Sequence, residues 1–269
     1  MRSPQTLTTQ IFPRSLLKLL TRLQEELAES TIVGGAIRDI LLGRRVFDFD
    51  IATSAPPTKL MELFPDAEMV QGGFGNTTLI VEGQRFEMTT FRQESHYEDH
   101  RHPKEVRFVA TFKEDWPRRD FTINAMAFNP VTQMFLDPAG GIADLDAKLI
   151  RTIGDPLERF DQDALRMLRA IRLSAECGFY IETKTLAAIT PDRFALAHLS
   201  LDQIDQELSR IWKSDNPDLG LLYLKKTNLL AQPYPQIQHF PDSEIGTLHS
   251  LPHWRNRRNR VMAEELPSG

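Results

Sequence analysis

The chain has 269 residues, 41% of them hydrophobic and 26% charged, with a formal net charge of −5. That length allows one large domain or two smaller ones, each with a real core, and the composition is that of an ordinary globular protein. A single cysteine, Cys177, excludes a disulfide framework and a cysteine-rich zinc site, and the absence of any long apolar run or signal peptide leads to the expectation of no membrane partner and a cytoplasmic location.

Residues 1–12 read as a loose terminus. Pro13 begins a helix with Leu16, Leu17, Leu20, Leu23 and Leu27 on one face. The β-prone run Thr31-Ile32-Val33 leads into Gly34-Gly35, which opens a helix carrying Arg38 and Asp39 and ended by Gly43. A second strand, Phe47 to Ala52, carries Asp48 and Asp50. Strand side chains alternate, so the two carboxylates share a face about 7 Å apart, while Phe47, Phe49 and Ile51 face a core. Two carboxylates on one face repel unless a cation sits between them. A hard divalent ion with oxygen ligands, Mg2+, is the natural occupant, held by Asp48 and Asp50. The two glycines let backbone approach a ligand, and N–H groups at a helix start can hold a phosphate. Asp-x-Asp and Gly-Gly are each common in surface turns. Together they point to a triphosphate beside a carboxylate-bound metal, which is nucleotidyl-transfer chemistry.

Ser54-Ala-Pro-Pro caps a helix over about 57–64, and 67–71 is a short strand. After the Gly72–Asn76 turn, Thr77 to Glu82 and Arg85 to Phe91 read as a β-hairpin closed by Gly83-Gln84. Phe86 and Met88 share one face and Arg85, Glu87 and Thr89 the other, so Glu87 becomes a third carboxylate if this strand neighbours Asp48 and Asp50. Residues 93–105 are polar without periodicity and read as a loop, and the spacing of His96, His100 and His102 fits no standard zinc site. Arg118, Arg119 and Asp120 precede a short helix, with Asn124 one turn beyond Asp120 and a buried strand from Ala125 to Phe128. Asp137-Pro-Ala-Gly-Gly is a turn and hinge before a short helix and the strand Leu149 to Ile153.

From Gly154 onward the pattern is helical only, which places a domain boundary near residue 153. One helix starts at Asp155-Pro156, the next covers Asp161 to Cys177, and others cover about 183–189, 200–213 and 217–226. Asp163, Arg166, Arg169 and Arg172 recur at every third position. On an anonymous helix Asp163 and Arg166 are an ion pair worth a few tenths of a kcal/mol. Leu165, Leu168 and Ile171 pack inward. The tail 231–269 carries Arg255, Arg257, Arg258 and Arg260, either a solvated cluster or a contact to RNA phosphates.

Four of these stretches, in order over roughly residues 31–225, resemble the signatures of the tRNA nucleotidyltransferase and bacterial poly(A) polymerase family (class II). They are residues 33–51, Arg85-Phe-Glu-Met-Thr-Thr-Phe-Arg, Arg118-Arg-Asp-Phe-Thr-Ile-Asn, and the run from Asp155 to Arg172. The resemblance implies an α+β fold: a polymerase-β-like nucleotidyltransferase head with a mixed sheet over 1–153, then an all-α neck over 154–230 that recognises the base; the basic tail over 231–269 is read from the sequence and lies beyond the resemblance. It implies catalytic roles for Asp48, Asp50 and Glu87. It implies nucleotide contacts from Gly34, Gly35, Arg38, Arg119, Asp120, Asn124, Asp163, Arg166 and Arg169, and a flexible loop over 93–105. The implied activity is template-independent transfer of CMP and AMP from CTP and ATP to the 3′ end of tRNA, in the manner of the CCA-adding branch. Poly(A) addition, addition of only CC or only A, and a non-catalytic RNA-binding relic are the alternatives. Two positions depart from the family pattern: Gln162 stands where the base-reading element has Glu, and Gln203 stands where a later element has Arg.

Overall fold

Leucines three and four positions apart bury one face of α1 (Arg14–Glu25), where Leu16, Leu19, Leu20 and Leu23 are buried. The helix stops short of Leu27, which has a positive φ and is 95% exposed, so this leucine does not join the buried stripe expected of it. The computed structural model describes residues 3–97, 103–190 and 199–263. They form two units: the first holds 3–96 and 103–147, and the second holds 148–190 and 199–263 together with Tyr97, the last residue of a strand otherwise in the first.

In the first unit α1 is followed by β1 (Ser30–Val33), α2 (Gly35–Leu41), β2 (Asp50–Thr53), α3 (Pro57–Leu63), β3 (Glu68–Gln71), β4 (Asn76–Val81) and β5 (Gln84–Thr90). Then come β6 (Arg92–Tyr97), β7 (Pro103–Phe108), α4 (Phe112–Asp115), β8 (Ala127–Asn129), β9 (Met134–Leu136) and α5 (Gly141–Asp146). Seven strands make one sheet in the order β3-β4-β5-β2-β1-β8-β9. Only β2 and β5 run parallel; the other neighbours are antiparallel, so the sheet is mixed. Val33, Ala52, Phe91, Val109, Phe112 and Ala127 form a core cluster of this unit. This is the α+β head expected from the sequence. β6 and β7 pair as a separate two-stranded sheet, so the segment read as a loop is strand on both flanks. His100 and His102 lie outside the described residues.

The second unit contains β10 (Leu149–Ile150), α6 (Pro156–Gln162), α7 (Leu165–Cys177), β11 (Tyr180–Ile181), α8 (Thr183–Ala187), α9 (Leu201–Lys213) and α10 (Pro217–Thr227). It ends with α11 (Pro235–His239), α12 (Asp242–Ile245) and α13 (Trp254–Met262). It is not purely helical: β10 pairs in parallel with β11, Leu149 opposite Tyr180, which draws β10 into this unit. The continuous helix expected over 161–177 is interrupted. Asp163 ends α6, and its Oδ1 accepts the amide of Leu165 at 3.1 Å. A carboxylate that bonds the backbone two residues on competes with the helical ladder and starts a new helix. α7 is buried on nearly all sides, packed against α9 and α10, and Leu165, Leu168, Ile171 and Cys177 are all inside. The expected basic tail is helical over α11 to α13, and α13 packs on α9 and α11. Among the described residues no helix is long and apolar enough to cross a membrane.

Candidate active site

Phe49 sets the direction of the Asp48 and Asp50 carboxylates. Its ring is buried, edge-on to Phe12 at 5.8 Å, and Phe12 in turn stacks on Phe128 at 5.7 Å. With Phe49 held inward, its two neighbours are exposed. The strand is shorter than expected: β2 begins at Asp50, Asp48 lies in the run before it, and Phe47 is 79% exposed instead of buried. β2 and β5 are in parallel register with Asp50 opposite Glu87, so these two side chains share a face. Glu87 is meanwhile engaged by Arg85, Nη2 to Oε1 at 2.8 Å. Among the described residues no group of three or more His, Cys, Asp or Glu stands preassembled for a metal.

Gly34 forms the facing wall. Its φ of +71° is a conformation that favours glycine, and a Cβ there would lie 3.9 Å from Asp50 Oδ2 and 4.0 Å from the Asn124 carbonyl oxygen. The Asp50 carboxylate therefore looks onto bare backbone. Hard oxygen donors beside that space fit a hard divalent cation.

A chain of hydrogen bonds continues this wall. Arg38, buried in α2, donates from Nε and Nη2 to the two Asp39 oxygens at 2.9 and 2.8 Å. Its Nη1 donates to Asn124 Oδ1 at 2.8 Å, and Asn124 Nδ2 donates to Asp120 Oδ1 at 3.3 Å. A Cβ on Gly35 would lie 3.4 Å from Arg38 Nη2. Gly34, Gly35, Arg38, Asn124, Asp120 and Asp50 are thus brought together from β1, α2, β2 and the turn before β8.

Arg119 is held by a residue the sequence did not single out. Its Nη2 pairs with Asp115 Oδ2 at 2.9 Å, and its guanidinium lies 5.2 Å from the Phe112 ring centroid. Asp115 Oδ1 accepts from Arg118 Nε at 2.8 Å and from the Arg92 amide at 3.0 Å. Glu94 Oε1 accepts from Arg92 Nε at 2.6 Å and Arg118 Nη1 at 3.2 Å. Burial by itself would raise the Asp115 carboxyl, but the Arg119 and Arg118 guanidiniums and the Arg92 amide outweigh it and hold the group below its ordinary range. Burial pulls the Arg119 guanidinium down, and Asp115 opposes that. The signal in the sequence was spacing: Asp115 stands at i,i+3 to Arg118 and i,i+4 to Arg119, one helical turn away.

Asp163, Arg166 and Arg169 belong to the second unit. Arg166 Nη1 donates to the Arg159 carbonyl and to Gln162 Oε1, both at 3.2 Å. Arg159 Nη1 also donates to Gln162 Oε1, at 2.9 Å, so the first departure from the family pattern bridges two guanidiniums. Gln203, the second, closes a capping box at the start of α9: Gln203 N donates to Ser200 Oγ at 3.3 Å and Ser200 N to Gln203 Oε1 at 2.9 Å. Arg169 is half-buried on α7, while Arg172 is pinned between Glu207 at 2.6 Å and Glu176 at 3.3 Å.

The four C-terminal arginines divide. Arg257 Nη1 donates to the carbonyls of Trp212 and Ser214 at 3.0 and 2.8 Å, finishing the end of α9, and Arg260 pairs with Glu244. Arg255 and Arg258 are exposed and line a groove with Trp254, Asp205 and Ser209. Arg257→Ala is expected to lower unfolding stability by about 1–3 kcal/mol, because it strips buried carbonyls of their donor. A thermal or urea melt checks this, and an unchanged midpoint would return Arg257 to the surface cluster.

Residues 30–151 match the family described as poly A polymerase head domain, and residues 178–240 the one described as probable RNA and SrmB-binding site of polymerase A. The chain is 41% identical over 218 residues to a CCA-adding enzyme of Anoxybacillus flavithermus, covering 81% of this chain and 55% of that protein. It is similar to the solved Bacillus stearothermophilus CCA-adding enzyme in complex with CTP, with a TM-score of 0.80 and 30% identity over 98% of this chain and 64% of that one. It is also similar to a tRNA nucleotidyltransferase solved with a primer tRNA and an incoming ATP analog, with a TM-score of 0.68 and 25% identity over 91% of this chain and 75% of that one. The chain spans about half the length of the curated relatives it matches.

Proposed function

The chain belongs to the tRNA nucleotidyltransferase and bacterial poly(A) polymerase family, and from that premise we propose that it transfers CMP and AMP from CTP and ATP to the 3′ end of tRNA without a template. The observation that carries this reading is the pair of exposed carboxylates flanking the buried Phe49, with Glu87 in register beside Asp50 and the bare backbone of Gly34 opposite. CCA-adding enzymes are metal-dependent nucleotidyltransferases, and we assign the metal here as Mg2+, held by Asp48 and Asp50. With Asp48 and Asp50 holding it, such an ion would supply Lewis-acid activation of the 3′ oxygen of the RNA and charge stabilisation of the pyrophosphate leaving group. Glu87 assists from the neighbouring strand once it turns from Arg85. Gly34 and Gly35 leave room for phosphate oxygens, and Arg38 and Arg119 neutralise them. Asp120 and Asn124 contact the ribose. Asp163, at the end of α6, and Arg166 read the base, with Arg169 beside Arg166 on α7 supporting the nucleotide. The expected location is the cytoplasm, with no membrane partner.

RNA affinity is assigned to Arg255 and Arg258, since Arg257 and Arg260 are occupied within the fold. Neutralising Arg255 and Arg258 together is expected to raise KM for RNA and reduce its salt dependence by roughly one to two counterions. An unchanged KM at several salt concentrations would remove them from the RNA contact.

The deciding experiment is incorporation of labelled CTP and ATP into a tRNA lacking its 3′ end. Addition of both nucleotides in sequence is the expected result. The neutral Gln162 and Gln203, at positions charged in the family pattern, favour one second reading, an enzyme that adds only CC or only A. It would incorporate CTP alone, or ATP alone and only into a tRNA already ending in CC. Long runs of A would indicate a poly(A) polymerase, and tRNA binding without any incorporation would indicate a non-catalytic relic.

A further inference from the structure

Asp115 is wholly buried, and both of its oxygens are engaged by cationic or backbone donors. A buried carboxylate is strongly unfavourable unless its partners compensate it, so its placement ties those partners down in return. Three arginines, Arg92, Arg118 and Arg119, meet two carboxylates, Asp115 and Glu94, in one cluster. Within it Arg119 is fixed on one edge by Asp115 and on one face by the Phe112 ring. Its Nε is buried and makes no hydrogen bond among the described residues. A buried donor left without an acceptor is costly, and an anionic oxygen brought to it would relieve that cost. The next residue, Asp120, is tied through Asn124 to Arg38, so the cluster adjoins the wall opposite the carboxylate pair.

We propose that Asp115 is a positioning residue for triphosphate binding. It holds the Arg119 guanidinium in place for a phosphate and, through Arg118, Glu94 and Arg92, ties it to the β6/β7 pair. This rests on the nucleotidyl-transfer reading above. A guanidinium freed from Asp115 would swing on a long side chain, and positioning lost at this scale lowers binding and turnover by up to about 100-fold. A purely structural role for Asp115 would affect every ligand alike. A positioning role acts on the phosphates and spares the nucleoside.

The test compares Asp115→Asn with the unaltered full chain in its binding of CTP, by calorimetry, and of cytidine, by competition. Asp115→Asn is expected to weaken CTP roughly 10- to 100-fold with cytidine unchanged, and to raise KM for CTP more than it lowers kcat. Asp115→Glu, which keeps the charge but displaces it, should recover part of the loss. Equal losses for CTP and cytidine, or unaltered CTP binding by folded Asp115→Asn, would overturn the proposal. If Asp115→Asn does not fold, Asp115→Glu carries the test: a selective loss of CTP binding supports the role, and wild-type CTP binding refutes it. An unaltered chain that binds no CTP overturns the functional reading itself. An unaltered chain that binds CTP while both variants match it overturns only the inference about Asp115.

Discussion

Asp50→Ala and, separately, Asp48→Ala are expected to abolish nucleotide addition while leaving the protein folded. Both side chains are exposed, and the anchor between them, Phe49, stays buried against Phe12 in either variant. Removing one carboxylate also removes its repulsion of the other. Stability should therefore change by no more than about 0.5 kcal/mol, the usual range for a surface position. The reaction has no such tolerance. A metal held by carboxylates supplies several kcal/mol of transition-state stabilisation, so losing a ligand is worth roughly 10³-fold or more in rate. Glu87→Gln should lose less, since Glu87 must first leave Arg85 before it can contribute. Single-turnover incorporation, measured beside a thermal melt of each variant, separates catalysis from folding. Normal turnover by Asp48→Ala or Asp50→Ala in Mg2+ would sink the metal assignment.

Arg166→Ala is expected to relax base selection more than it slows the transfer of a correct nucleotide. Cytosine and adenine both present an exocyclic amine, a donor that the Asp163 carboxylate can accept, beside a ring nitrogen that a guanidinium can fill. Uracil and guanine present the reverse, a carbonyl oxygen and an N–H. Against the same Asp and Arg both contacts become repulsive or unpaired. One bidentate reader of this kind discriminates by about 1–3 kcal/mol, or roughly 5- to 150-fold. Arg166 is suited to this because it does not swing freely: it is buried, and its Nη1 is held by the Arg159 carbonyl and by Gln162. Gln162, although uncharged, still offers an acceptor to both guanidiniums. Gln162→Ala should therefore loosen selection in the same direction by a smaller factor. Measuring kcat/KM for all four nucleotides on the unaltered chain and on Arg166→Ala decides the matter. Equal discrimination by the two proteins would make Arg166 a structural residue of the α6–α7 junction.

The orientation of Asp48 and Asp50 was legible in the chain alone. Alternation along an extended backbone is a local property, and an apolar residue between two carboxylates declares which side is the core. Gly34 was legible for a similar reason, because a glycine ahead of a helix announces a backbone conformation that other residues avoid. Glu87 was legible only conditionally: its face followed from the hairpin pattern, but its place beside Asp50 required β2 and β5 to pair, and no local pattern encodes that register. The break at Asp163 was hidden by a helical periodicity that runs through it, because an Asx bond to Leu165 competes with the helix without altering the hydrophobic spacing. Phe47 and Leu27 fitted their apolar patterns and yet are exposed, since each lies just outside the element that would have buried it. The arginines show the limit most clearly. From the sequence Arg119, Arg255 and Arg257 are equally available to phosphates, but the fold gives Arg257 to the end of α9 and Arg119 to Asp115, and leaves Arg255 on a groove. A charge declares itself in the sequence, whereas the choice among its possible partners, near or far in the chain, depends on packing, so only the tertiary structure could decide which partner each arginine takes.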